Sequence, residues 1–113
     1  MPDYVLWIAL GVIIVLFFAT TRLGKVSSEA ARKLVSEGAL LVDVRSPGEF
    51  AGGHLDGAIN VPVDALGART GELVGKGKPI VVYCASGMRS GSAASRLKKA
   101  GAQVFDLGAM SRW

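Results

Sequence analysis

A chain of 113 residues has room for one compact domain and little beyond it, since domains commonly hold about 100–150 residues. The formal net charge is +4 and Lys98-Lys99 is a basic pair without interleaved aromatics, which argues against nucleic acid as a partner. Cys84 is the only cysteine and His54 the only histidine, so an internal disulfide is excluded, too few soft ligands remain for a structural metal site, and nothing calls for a cofactor.

Half of the residues are hydrophobic and the mean hydropathy is +0.41, with the excess gathered at the N-terminus. No charged residue falls between Tyr4 and Ala19. With Thr20 and Thr21 the run spans about 27 Å as a helix, close to a bilayer's hydrocarbon thickness, and predicts a single transmembrane anchor over residues 1–22 followed by one domain over 23–113. Tyr4 and Trp7 suit one headgroup zone, and Arg22 and Lys25 bound the other end. Arg22, Lys25, Arg32 and Lys33 follow the run while only Asp3 precedes it, so the basic side and the domain are expected to face the cytoplasm. A cleaved signal peptide is the competing reading; it fits less well, because the leading segment lacks a basic residue and Phe18-Ala19-Thr20-Thr21 is a poor cleavage site.

After a polar linker, Ser27 or Ser28 can cap a helix that carries Glu29 in its first turn, groups Ala30, Leu34 and Val35 on one face and ends at Gly38. Residues 39–44, ALLVDV, read as a strand covered on both faces. Pro47 opens a short helix through Glu49 and Phe50, and Gly52-Gly53 forces a loop around His54. Residues 58–61 form a short strand stopped by Pro62, and the glycine-broken stretch 63–75 predicts only short helical pieces. Residues 79–84 are a second fully apolar strand, 85–88 a tight loop, and an amphipathic helix starts at Arg89 or Ser90 and stops at Gly101. A last strand covers 103–107. Strands alternating with helices imply a parallel α/β sheet, with binding chemistry at the carboxyl ends of its strands.

Cys84 lies at such an end. Cys84-Ala85-Ser86-Gly87-Met88-Arg89-Ser90 runs from a strand through a loop of small residues into a helix N-terminus, where successive N–H groups can converge on one anion and the helix dipole adds to them. A sulfur at the base of that cradle is held as thiolate; otherwise a lone cysteine at a strand end is a buried, inert thiol. Gly87 can take a positive φ, Ala85 and Ser86 leave the opening free, and Arg89 offers a fork of donors to an oxyanion unless it pairs with Glu49. Ser90 is either a ligand or a helix cap.

Asp43-Val44-Arg45-Ser46-Pro47-Gly48-Glu49-Phe50, Gly53-His54-Leu55-Asp56-Gly57-Ala58-Ile59-Asn60-Val61-Pro62, the Cys84 loop, and Gly108 with Trp113 together resemble the rhodanese homology domain in order and spacing, over about Ser27 to Trp113. The resemblance implies a three-layer α/β domain with a five-stranded, mainly parallel sheet. It also implies a sulfurtransferase whose cysteine, matching Cys84, becomes a persulfide, taking sulfur from a small donor such as thiosulfate or a persulfide and passing it to a thiol or protein acceptor. In that family the positions matching Asp43 and Arg45 lie near the site. Arg45 is a candidate substrate contact beside the loop residues, whereas Asp43 and His54 read as structural groups that satisfy backbone donors. A persulfide carrier or partner-binding module with little turnover is the alternative. The same fold also resembles dual-specificity phosphatases of the Cdc25 type, which place five residues between cysteine and arginine; with four between Cys84 and Arg89, the loop suits sulfur better than a tetrahedral phosphate or arsenate, so a phosphatase or arsenate reductase ranks below a sulfurtransferase.

Overall fold

The computed structural model describes residues 2–113, and the side chains of all of these except 15–23. Helix α1, Asp3–Leu23, precedes α2, Ser28–Ser36; β1, Leu40–Asp43; α3, Pro47–Ala51; β2, Ile59–Asn60; α4, Leu66–Gly75; β3, Ile80–Cys84; α5, Met88–Lys99; and β4, Val104–Ala109. Single turns of 3-10 helix at Val63–Ala65 and Met110–Arg112 complete the order.

The four strands form one parallel sheet in the order β2-β1-β3-β4. Leu41 pairs with Val81 and Asp43 with Tyr83 in the central ladder. Because side chains alternate across a strand, Ile80, Val82 and Cys84 face one layer while Val81 and Tyr83 face the other. The first layer holds Leu66 and Leu73 of α4 and Ala93, Ala94 and Leu97 of α5; the second holds Ala31 of α2, with Leu34, Val35, Met110 and Trp113 packed against it. All five residues of β3 are buried, as its uninterrupted apolar sequence requires of a central parallel strand.

The expected five-stranded sheet has four strands among the described residues. Where a further strand would lie beside β4, the chain makes one isolated parallel bridge, Lys25 with Asp106, and one backbone bond from Val26 N–H to the Asp106 carbonyl at 2.8 Å. The cap at Ser27, which accepts a bond from the Ala30 N–H, turns the chain into α2 before a ladder can extend.

The membrane expectation is also corrected. Among the described residues no helix is long and apolar enough to cross a membrane, which overturns the single-pass anchor and the cytoplasm-facing placement drawn from it. Arg22 as a boundary, and the Phe18–Thr21 stretch, lie outside the described side chains. Lys25, expected to bound the membrane helix, instead turns onto Asp106 at 2.6 Å.

Helix α4 departs from expectation as well, running unbroken through Gly67 and Gly71. Leu66 and Leu73, two turns apart, are both fully buried. Their burial, about 1.5–3 kcal/mol each, outweighs about 1 kcal/mol per interior glycine.

The order β2-β1-β3-β4 fixes where the site lies. The chain leaves β1 toward one edge and leaves β3 toward the other, so the connections after the two strands diverge and open a crevice at their carboxyl ends. Arg45 follows β1 at that crevice, and Cys84 ends β3 there.

Candidate active site

Cys84 ends β3, and the chain must reverse before α5 begins at Met88. Gly87 makes the reversal with φ of 100°, a conformation that a residue with a Cβ rarely takes. Helix α5 has no side-chain cap of its own, and the Cys84 sulfur fills that role: Gly87 N–H donates to Sγ at 2.9 Å and Ser90 N–H at 3.3 Å. Ser90 Oγ stands 3.5 Å from Sγ and 3.2 Å from the Gly87 carbonyl. With the thiol protonated, S–H donates to Oγ and the hydroxyl donates to Gly87; when the thiol ionises, the hydroxyl proton can turn to the sulfur.

Burial alone would push the Cys84 thiol up, since charge is disfavoured away from water. Bonds from the Ser90 hydroxyl and from the Ser90, Gly87 and Ser86 N–H groups oppose it, and the balance lies below the ordinary thiol value. The residue is fully buried. Its inner side meets the apolar layer around Val44 and Val61, while its outer side meets the N–H groups of a loop whose Ala85, Ser86 and Met88 are exposed. An inert core thiol lacks those donors.

Arg89 lies on the first turn of α5 and makes a two-pronged pair with Glu49 of α3, Nη1 to Oε1 at 2.6 Å and Nη2 to Oε2 at 3.0 Å. Glu49 also accepts from Ser46 N–H at 3.1 Å, while Ser46 Oγ accepts from Glu49 N–H at 3.2 Å. This reciprocal capping box fixes the carboxylate before Arg89 arrives. The Arg89 guanidinium and the Ser46 backbone together hold the Glu49 carboxyl down at about 2.

Arg45 does not reach the sulfur cradle. Its Nε lies 3.0 Å and its Nη2 2.7 Å from Asp43 Oδ2, and Nη2 donates to the Gly53 carbonyl at 2.6 Å. Asp43 Oδ1 also accepts the Arg45 N–H at 2.8 Å, so this buried pair shapes the turn leaving β1. Asn60 Nδ2 braces the same turn by donating to the Asp43 and Arg45 carbonyls, both at 3.0 Å. His54 Nδ1 donates to the Phe50 carbonyl at 2.9 Å and its ring stacks on Phe50 at 3.8 Å. Tyr83, raised to about 12 chiefly by burial, accepts the Leu55 N–H at 3.1 Å.

Sequence reasoning missed the support beneath the loop. Lys25 Nζ donates to Asp106 Oδ2 at 2.6 Å and to the Gly87 carbonyl at 3.5 Å. Asp106 Oδ1 accepts the Gly108 N–H at 2.8 Å, where the ladder between β3 and β4 shifts register. Gly108 has φ of 88°. The local signal was an acidic residue inside an apolar strand two positions before a glycine. Two clefts of 430 and 440 Å³ are lined by Lys25, Lys98 and Asp106 and by no residue of 84–90, so the cradle is the loop itself.

Residues 27–113 match the rhodanese-like domain family. The Bacillus subtilis protein YqhL is 43% identical over 77 residues, 66% of this chain, and the chain spans 60% of that protein's length. A sulfurtransferase of Allochromatium vinosum is 36% identical over 80 residues, covering 69% of this chain and 74% of that one. The structure of the human single-domain sulfurtransferase TSTD1 superposes with a TM-score of 0.61 at 27% identity, covering 79% of this chain and 90% of that one. With its parallel α/β sheet and the family match extending over all four strands, the chain belongs to the rhodanese-like domain family.

Proposed function

We propose that this protein is a sulfurtransferase in which Cys84 takes a sulfane sulfur from a small donor, such as thiosulfate or a low-molecular-weight persulfide, and passes it to a thiol or another thiophilic acceptor. The observation that carries this reading is the convergence of the Gly87 and Ser90 N–H groups on Sγ, at 2.9 and 3.3 Å. The sulfurtransferase relatives support it independently.

The Cys84 thiolate attacks the outer sulfur of the donor. A new S–S bond forms, the donor's own bond to that sulfur breaks, and its electron pair leaves on sulfite or on a thiolate. The enzyme then carries a persulfide with one negative charge, so the charge held by the loop is conserved. An acceptor thiolate attacks the terminal sulfur and returns Cys84 as thiolate. The loop N–H groups stabilise the anion in both states with little reorganisation. Arg89, on the first turn of α5, meets the donor already paired with Glu49; Arg45 acts at one remove, through the turn it holds.

The test is incubation with donor followed by mass spectrometry. Cys84 is expected to gain about 32 Da, reversibly on reduction, and Cys84→Ser is expected to abolish both the gain and turnover. A Cys84→Ser protein with full transfer activity would falsify the assignment.

A further inference from the structure

We infer that Glu49 is a specificity-determining residue: by holding Arg89 in a two-pronged pair at the mouth of the cradle, it compensates that arginine's charge and turns the site toward singly charged organic persulfides and away from doubly charged thiosulfate. This rests on the sulfurtransferase reading.

Three cations at the carboxyl ends of the strands and beneath the loop are held by carboxylates, while Arg112, beside Gly108, bonds only to the Leu107 and Val26 carbonyls among the described residues. Arg89 has Glu49 at 2.6 Å, Arg45 has Asp43 at 2.7 Å, and Lys25 has Asp106 at 2.6 Å. The last two pairs are anchored by carboxylates that are 0% and 4% exposed, so they are fixtures of the fold. The Arg89 pair is different, because both partners are about one-third exposed, at 35% and 37%, and so can meet a ligand. Glu49 is also held in place independently by Ser46, so Arg89 cannot drag it away when an anion approaches.

A donor therefore meets a mouth whose net charge is zero, backed by a thiolate. Each extra negative charge on the donor is repelled by that thiolate, and the paired Arg89 offsets it less than a free arginine would. The rim adds an apolar surface: Met88, next to the mouth, is 83% exposed, and its thioether suits an alkyl chain better than a sulfonate.

The experiment uses the full chain and a series in mouth charge: Arg89→Gln, the unaltered protein, and Glu49→Gln. Glutamine at position 49 still closes the capping box on Ser46, so the last change removes charge while keeping shape. The readout is the ratio of second-order rates at which thiosulfate and the persulfide of 2-mercaptoethanol load Cys84, at low salt. The ratio is expected to rise along the series by about threefold to tenfold per step, the effect of one unit charge at about 6 Å in an effective dielectric of about 40–80. The steps should shrink at high ionic strength. Equal ratios across the three proteins, or a fall in Glu49→Gln, would overturn the role of Glu49 while leaving the sulfurtransferase reading intact. If neither donor loads the unaltered protein, that reading fails and the inference fails with it.

Discussion

Gly87→Ala separates what the loop's backbone does from what its space permits. At φ of 100° an alanine is forced into left-handed backbone, which costs roughly 1–2 kcal/mol. Crowding adds little, because a Cβ at position 87 would meet its nearest neighbour, the Gly108 Cα, at 3.7 Å, ordinary van der Waals contact. The expected loss of stability is therefore about 1–2 kcal/mol. If the loop relaxes that strain by turning residue 87 to negative φ, its N–H leaves Sγ and the shortest of the sulfur's bonds, 2.9 Å, is lost. Sulfur loading should then fall about fivefold to thirtyfold, the same free energy expressed as a shift in loop population. Urea denaturation gives the first number and timed mass spectrometry of Cys84 loading gives the second. Gly87→Asn is the control, since asparagine tolerates left-handed backbone better and should fall between the two. An alanine protein with the parent's midpoint and loading rate refutes the argument, and so does an asparagine protein as impaired as alanine, which would point to bulk.

The thiol's ionisation is read from the pH dependence of iodoacetamide labelling. Because the folded pKa lies below the free-thiol value of about 8.5, labelling should level off below that pH, and Ser90→Ala should move the profile upward; a midpoint at or above the free-thiol value would rule out the cradle. Asp43→Ala leaves Arg45 buried without its carboxylate and should cost about 3–5 kcal/mol in denaturant titrations, whereas a loss below about 1 kcal/mol would mean that the pair is dispensable. Glu49, whose folded value of about 2 is depressed by Arg89 and Ser46, contributes stability that is fully present above its unfolded value of about 4.3. That contribution is lost as pH falls toward 2, and carboxyl NMR should show Glu49 still ionised at pH 3. A Glu49 titration midpoint near 4.3 would show the pair to be absent in solution.

Local patterns carried most of the fold. Uninterrupted apolar runs marked β1 and β3 as buried strands, and Ser27 or Ser28, Pro47 and Gly101 marked helix ends, because caps and turns depend on a few adjacent dihedral angles. The cradle was legible for the same reason: a strand end, small residues, a glycine and a helix start within seven positions leave the backbone few ways to run. Three readings failed, the first being the membrane anchor, since no described helix is long and apolar enough to cross a membrane. The family resemblance implied five strands, and the sheet has four among the described residues; glycines were expected to break α4, and the burial of Leu66 and Leu73 kept it whole.

Sequence alone determined that a lone thiol ends a buried strand and faces a helix N-terminus, because alternation and backbone freedom are local properties. Only the tertiary structure decided the charge around it. Arg89 meets Glu49 across 40 positions of chain and Lys25 meets Asp106 across 81. Such pairings depend on how helices dock on the sheet, which no local pattern records.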